Sequence, residues 1–295
     1  MKNTVFTGAA SAIATPLTKD GIDYNKFAQL IDWQIENGVD AIVAVGTTGE
    51  GATLSDEEHK AAIEFCVKQV AGRVPVIAGT GSNDTAYGIE LSKFACKAGA
   101  DALLLVTPYY NKATQEGLYQ SFKAIAEAVD KPCILYNVPS RTGVNLLPET
   151  VARLAEIDNI VGIKEASGNI SQVAKIAALC GDKIDIYSGN DDEIIPILSL
   201  GGKGVISVLA NIFPKETHNI CEEFFKGNIK AARDIQLEFL PICSALFCEV
   251  NPIPVKAALS HMGFCENYLR LPLTPMSKEN EQKLVSLMRE KGLNV

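Results

Sequence analysis

No apolar run in the 295-residue chain approaches the roughly 18 residues that cross a bilayer, so no membrane-spanning segment is expected. Basic residues never cluster and the formal net charge is −8, which argues against a nucleic-acid surface. The three histidines, His59, His218 and His261, lie far apart without H-x-x-x-H spacing, so neither a metal site nor a cofactor is expected. The eight cysteines, at 66, 96, 133, 180, 221, 243, 248 and 265, form no C-x-x-C. Several fall inside apolar periodic stretches and read as small buried hydrophobes in a reducing cytoplasm. "MKNTVFTGAASAIATP" begins like a secretory leader, but Thr4, Thr7 and Ser11 interrupt its apolar core, and a cytoplasmic location is expected.

What is present is ordinary globular composition, 47% apolar and 21% charged, in an alternating pattern. Short apolar segments, "ASAIAT", "AIVAV", "PVIAGT", "ALLLVT", "PCILYN", "IVGIK", "IDIYS" and "GVISV", read as strands buried on both faces. Helical patterns separate them, such as Leu91, Phe94, Ala95 and Ala98. Ser55 with Glu58 has the spacing of a capping box, and Asp23 and Gly38 bracket another helix. "GVDAIVAV" from Gly38 is echoed by "GADALLLV" from Gly99, 61 residues on, which is two strand–helix units. Eight such units predict a (β/α)8 TIM barrel over residues 1–225, followed by a helical C-terminal region over 226–295. The competing doubly wound sheet needs a phosphate loop after its first strand. "AGTGSND" lacks the third glycine and follows the third strand.

In a (β/α)8 barrel the chemistry sits at the C-terminal strand ends. Those ends hold Thr47 and Thr48 in "GTTGE", Tyr110 in "TPYYN", Tyr136 and Arg141 in "YNVPSRTG", and Lys164 in "IVGIK". Lys164 admits two readings, an interior ion pair or a Schiff-base nucleophile whose pKa is lowered by desolvation. Strand alternation turns Glu165 the other way, so the adjacent carboxylate is a poor partner. Tyr136, Tyr110 and Thr47 could relay the protons that carbinolamine formation and dehydration require. Arg141 offers a fork suited to a carboxylate, or a loop salt bridge.

"GTTGE", "TPYYN", "YNVPSRTG" and "IKEASGN", in this order, closely resemble the dihydrodipicolinate synthase family of pyruvate-dependent class I aldolases. The resemblance runs along essentially the whole chain and includes "NPIPVK" near the C-terminus. The lysine and the Y-N-x-P stretch are common to the wider superfamily, whereas Arg141 and Thr48 point to the synthase branch. The resemblance implies that Lys164 forms an imine with pyruvate, that Tyr136, Thr47 and Tyr110 relay protons, and that Tyr110 enters from a neighbouring subunit. It also implies that Thr48 holds the pyruvate carboxylate, Arg141 meets the carboxylate of L-aspartate-4-semialdehyde, and Gly189 and Ile206 line the pocket through backbone groups. The expected product is 4-hydroxy-tetrahydrodipicolinate of the diaminopimelate–lysine pathway, made by a homotetramer built as a dimer of dimers. Another aldolase acting on a sugar acid, or a non-catalytic keto-acid-binding barrel, are the alternatives. Lysine-inhibited members of the family bind the inhibitor near the positions of Ala52, His59, Asn83 and Tyr109. This chain has Asp56 where they typically carry histidine and Tyr87 where they carry glutamate, so insensitivity to lysine is expected.

Overall fold

The computed structural model describes residues 2–295. After β1 (Gly8–Ala12) comes a short antiparallel hairpin of β2 (Leu17–Thr18) and β3 (Gly21–Ile22), then α1 (Tyr24–Glu36). Strand and helix then alternate through β4 (Ala41–Ala44), α2 (Asp56–Val70), β5 (Val76–Gly79), α3 (Thr85–Ala98), β6 (Ala102–Val106) and α4 (Gln115–Glu127). The second half runs through β7 (Cys133–Asn137), the short α5 (Pro139–Thr142), α6 (Pro148–Leu154), β8 (Ile160–Glu165), α7 (Ile170–Cys180), β9 (Asp185–Ser188), α8 (Ile194–Ser199), β10 (Gly204–Ser207) and α9 (Pro214–Phe225). β1 and β4–β10 form a closed parallel barrel in which β10 pairs back onto β1.

The expected (β/α)8 fold is present, and the local signals explain it. Each barrel strand is buried on both faces, which is why the segments are apolar without alternation. Inward residues are small on several strands, as at Ala10, Ala12, Ala41 and Ala102, leaving room for the Tyr187 ring, which stacks on Phe6 at 4.3 Å. Outward residues such as Ile42, Leu103, Leu105 and Ile163 pack under the helices. The Ser55–Glu58 capping box opens α2, and Asp23 accepts from the Lys26 backbone N–H to open α1. At the closing seam, a Cβ on Gly204 would lie 1.9 Å from the Gly8 carbonyl oxygen, so that pairing requires glycine.

Three further helices follow, α10 (Ile229–Leu246), α11 (Ile253–His261) and α12 (Lys278–Glu290), on the segments whose periodicity predicts them. α10 packs against α8, α9 and α12, and α11 lies against α12. The connection from α10 to α11, residues 247–252, reaches the C-terminal mouth of the barrel.

Candidate active site

A cavity of about 670 Å³ opens at that mouth. Lys164 projects into it from the end of β8, with only 5% of its surface exposed. Tyr136 on β7 is its direct register neighbour, and the Lys164 Nζ lies 4.4 Å from the Tyr136 ring centroid. Burial lowers the Lys164 pKa from 10.5 to about 7; the Asp191 carboxylate opposes this shift and the Arg141 charge adds to it. The amine is therefore about half neutral near pH 7, and neutral is the state a nucleophile needs. Burial also raises the Tyr136 phenol above its ordinary value, against the Arg141 charge and the Thr47 hydroxyl, so the phenol keeps its proton until a partner removes it.

Glu165 faces away from the cavity, as alternation requires. It accepts from Asn137 Nδ2, Gln172 Nε2 and the Ser167 backbone N–H, and burial raises its pKa. The carboxylate that does act on Lys164 is Asp191, in the turn after β9. It accepts from Ser207 Oγ and from the backbone N–H groups of Val208 (3.0 Å) and Leu209 (2.9 Å), while burial raises its pKa. Asp191 is not among the strand-end residues singled out from sequence. The acidic run Asp191–Glu193 directly after β9 was the available signal.

Thr47 and Thr48 sit in a tightly wound turn after β4. Val45 and Glu50, on either side of them, have φ of 54° and 56°, a region costly for side chains with a Cβ. Glycines surround Val45 where nothing larger fits, since a Cβ on Gly79 would lie 2.6 Å from the Val45 carbonyl oxygen. Thr48 Oγ1 accepts from Asn251 Nδ2 at 3.0 Å, and the Asn251 carbonyl accepts from Arg141 Nη2 at 3.2 Å. The C-terminal region thus supplies a wall of the cavity, which sequence reasoning did not assign.

Of the residues singled out from sequence, Thr47, Thr48, Tyr136, Arg141, Lys164 and Gly189 line this cavity together. A Cβ on Gly189 would lie 3.0 Å from Lys164 Cε and 2.6 Å from Ala166 Cβ, so the absence of a side chain there makes room for the lysine. Ile206 is fully buried in the barrel interior, and Val208, two residues on, lines the cavity. Tyr110 lies outside its own chain's cavity, 91% exposed on backbone with φ of 71°. A second cavity, of about 420 Å³, shares Tyr136, Thr47 and Arg141 and extends to Ala52, His59, Tyr87 and Tyr109. There the Tyr87 hydroxyl donates to Asp56 at 3.0 Å, and Lys60 holds the other Asp56 oxygen at 2.7 Å. Asn83 is not among its lining residues; its carbonyl accepts from Asn111 Nδ2.

A closed (β/α)8 barrel with a desolvated amine at its C-terminal mouth, a protonated phenol beside it and a guanidinium at the rim defines a Schiff-base lyase of the class I aldolase type. Within that class, the chain belongs to the dihydrodipicolinate synthetase family, whose model matches residues 5–291. It is 55% identical over 293 residues to the 4-hydroxy-tetrahydrodipicolinate synthase of Acetivibrio thermocellus, covering 99% of this chain and all of the relative. The chloride-inhibited dihydrodipicolinate synthase of Acinetobacter baumannii, solved with pyruvate, superposes with a TM-score of 0.95 at 48% identity, over 98% of this chain and 99% of that one. The dihydrodipicolinate synthase of Aquifex aeolicus superposes with a TM-score of 0.97 at 44% identity, again over 98% and 99%.

Proposed function

We infer that the chain condenses pyruvate with L-aspartate-4-semialdehyde to 4-hydroxy-tetrahydrodipicolinate, the reaction of diaminopimelate and lysine biosynthesis. The observation that carries the reading is Lys164, buried at the end of β8 with a pKa of about 7 and facing the cavity beside Tyr136. In this reading the neutral Lys164 amine attacks the pyruvate carbonyl, and the carbinolamine loses water to give an imine. Tyr136 and Thr47 carry the protons for both steps. Loss of a methyl proton gives the enamine, whose carbon adds to the aldehyde of the second substrate. That substrate's amine then displaces Lys164 from the imine carbon, closing the ring and freeing the lysine. One water is released overall.

Thr48 and its turn hold the pyruvate carboxylate, and Arg141 at the rim meets the carboxylate of the semialdehyde. Gly189 offers backbone without bulk, while the strand carrying Ile206 supports the wall from behind. Tyr110 completes the relay of a neighbouring subunit, in keeping with its exposure here, and the working unit is a homotetramer built as a dimer of dimers. Residues 1–225 form the catalytic barrel, and 226–295 form a region that closes its mouth through the 247–251 segment. Eight unpaired thiols favour a reducing cytoplasm.

Borohydride reduction with pyruvate, followed by intact mass and peptide mapping, tests the imine. One reduced pyruvyl group on Lys164 is expected, and no added mass on a natively folded chain would refute it. A coupled assay with aspartate semialdehyde against a panel of sugar aldehydes tests the second substrate, and light scattering the assembly.

A further inference from the structure

We propose that the buried ion pair between Glu50 and Lys256 is a positioning device for the Thr47–Thr48 turn, and through it for pyruvate. Lys256 Nζ and Glu50 Oε1 are 2.5 Å apart, with side chains 0% and 1% exposed. A pair this deeply buried recovers little more than its own desolvation, so stability alone is a weak reason for it. Its placement supplies a better one. Glu50 is the last residue of "GTTGE" and Lys256 the last of "NPIPVK", so the pair ties the turn after β4 to the start of α11. A second tie runs parallel to it, from Asn251 to Thr48, and continues from the Asn251 carbonyl to Arg141.

The turn needs such a hold. Both Val45 and Glu50 stand in left-handed backbone on either side of the two threonines. Strained backbone of this kind persists only where its surroundings over-determine it. The glycines packed on Val45 fix one end, and the Glu50 carboxylate fixes the other, accepting from Lys256 and, at 3.4 Å, from the Arg270 backbone N–H. Glu50 and Lys256 are absent from the residues lining the cavity, so their effect on substrate passes through the turn. The inference rests on the reading in which that turn holds the pyruvate carboxylate.

The test is the double variant Glu50→Gln/Lys256→Met, which removes both charges at similar volume. Its melting temperature is expected within about 5 °C of wild type, because a neutral replacement of a buried pair is tolerated. The KM for pyruvate should rise about tenfold or more, while kcat at saturating pyruvate stays within about threefold. Glu50→Gln alone keeps an acceptor for Lys256 and should raise the same KM about three- to tenfold. Borohydride trapping of the wild-type chain with pyruvate runs alongside. If the wild type forms no adduct, the reading of the site fails and takes the inference with it. If the wild type forms the adduct and both variants keep its pyruvate KM, only the positioning role is overturned. A large loss of melting temperature with unchanged constants in the folded fraction, or failure of both variants to fold, makes the pair a stability element and also overturns it.

Discussion

Replacing Lys164 with methionine should stabilise the fold while abolishing the pyruvate adduct. The amine's pKa falls from 10.5 to about 7 on folding, chiefly through burial. Between those values the unfolded chain binds more protons than the folded one, so wild-type stability rises with pH across that window. Below about pH 7 the buried amine costs the full difference, about 1.4 kcal/mol for each tenfold change in proton affinity and about 5 kcal/mol in all. Methionine has similar length and no such cost, and the attraction of Asp191 for the protonated amine is already contained in the pKa of about 7. The expected stabilisation is about 2–5 kcal/mol at pH 6.5, closing towards zero near pH 10. For a chain of this length that is a rise in melting temperature of about 3–8 °C. Urea unfolding and thermal melts of both proteins at pH 6.5, 8 and 10 measure it. A variant no more stable than wild type at pH 6.5, or a gap that ignores pH, would show that Lys164 is not held neutral by burial.

Tyr136→Phe should fold normally and lose about 10²–10⁴ in kcat, the range for removing general acid–base help, and an unchanged rate removes Tyr136 from the relay. Arg141→Ala should raise the semialdehyde KM by about 10- to 150-fold, the equivalent of a charge-assisted pair of about 1.5–3 kcal/mol, with pyruvate KM little changed. The same variant removes a positive charge that lowers the Lys164 pKa, so the pH midpoint of adduct formation should move up from about 7; a downward move contradicts the assignment. Lysine at millimolar concentration should leave the rate nearly unchanged, because Tyr87 and Asp56 engage each other and no carboxylate from position 87 reaches an inhibitor's ammonium. Half-inhibition well below a millimolar at saturating pyruvate would refute that.

Legibility from sequence followed the range of the interactions. The eight barrel strands, the Ser55 cap and the outward turn of Glu165 are written in periodicity and nearest neighbours, and they are present in the fold. The β2–β3 hairpin escaped because two-residue strands carry no period. Asp191, Asn251 and the Glu50–Lys256 pair escaped for another reason. Each acts across a gap in sequence, 27 residues from Lys164 to Asp191 and 206 from Glu50 to Lys256, that only the tertiary fold bridges. Lys164 itself was visible because a cation in an apolar strand is a local anomaly, whereas a carboxylate in a polar turn is not.

The bare backbone at Gly189 makes the cavity uneven as a target for inhibitors. On that side Ala166 and the Lys164 stem leave no room for even one methyl on the wall, so the lysine's carbon chain has almost no freedom to shift away from an incoming group. Elsewhere in the lining, Phe247 and Val250 are about half exposed and belong to a loop rather than to the barrel. A covalent electrophile aimed at Lys164 must therefore be slender next to the amine and carry its bulk towards residues 247–250. Bulk branching beside the warhead meets the packed Gly189–Ala166 wall, whereas bulk carried outwards meets partly exposed loop side chains.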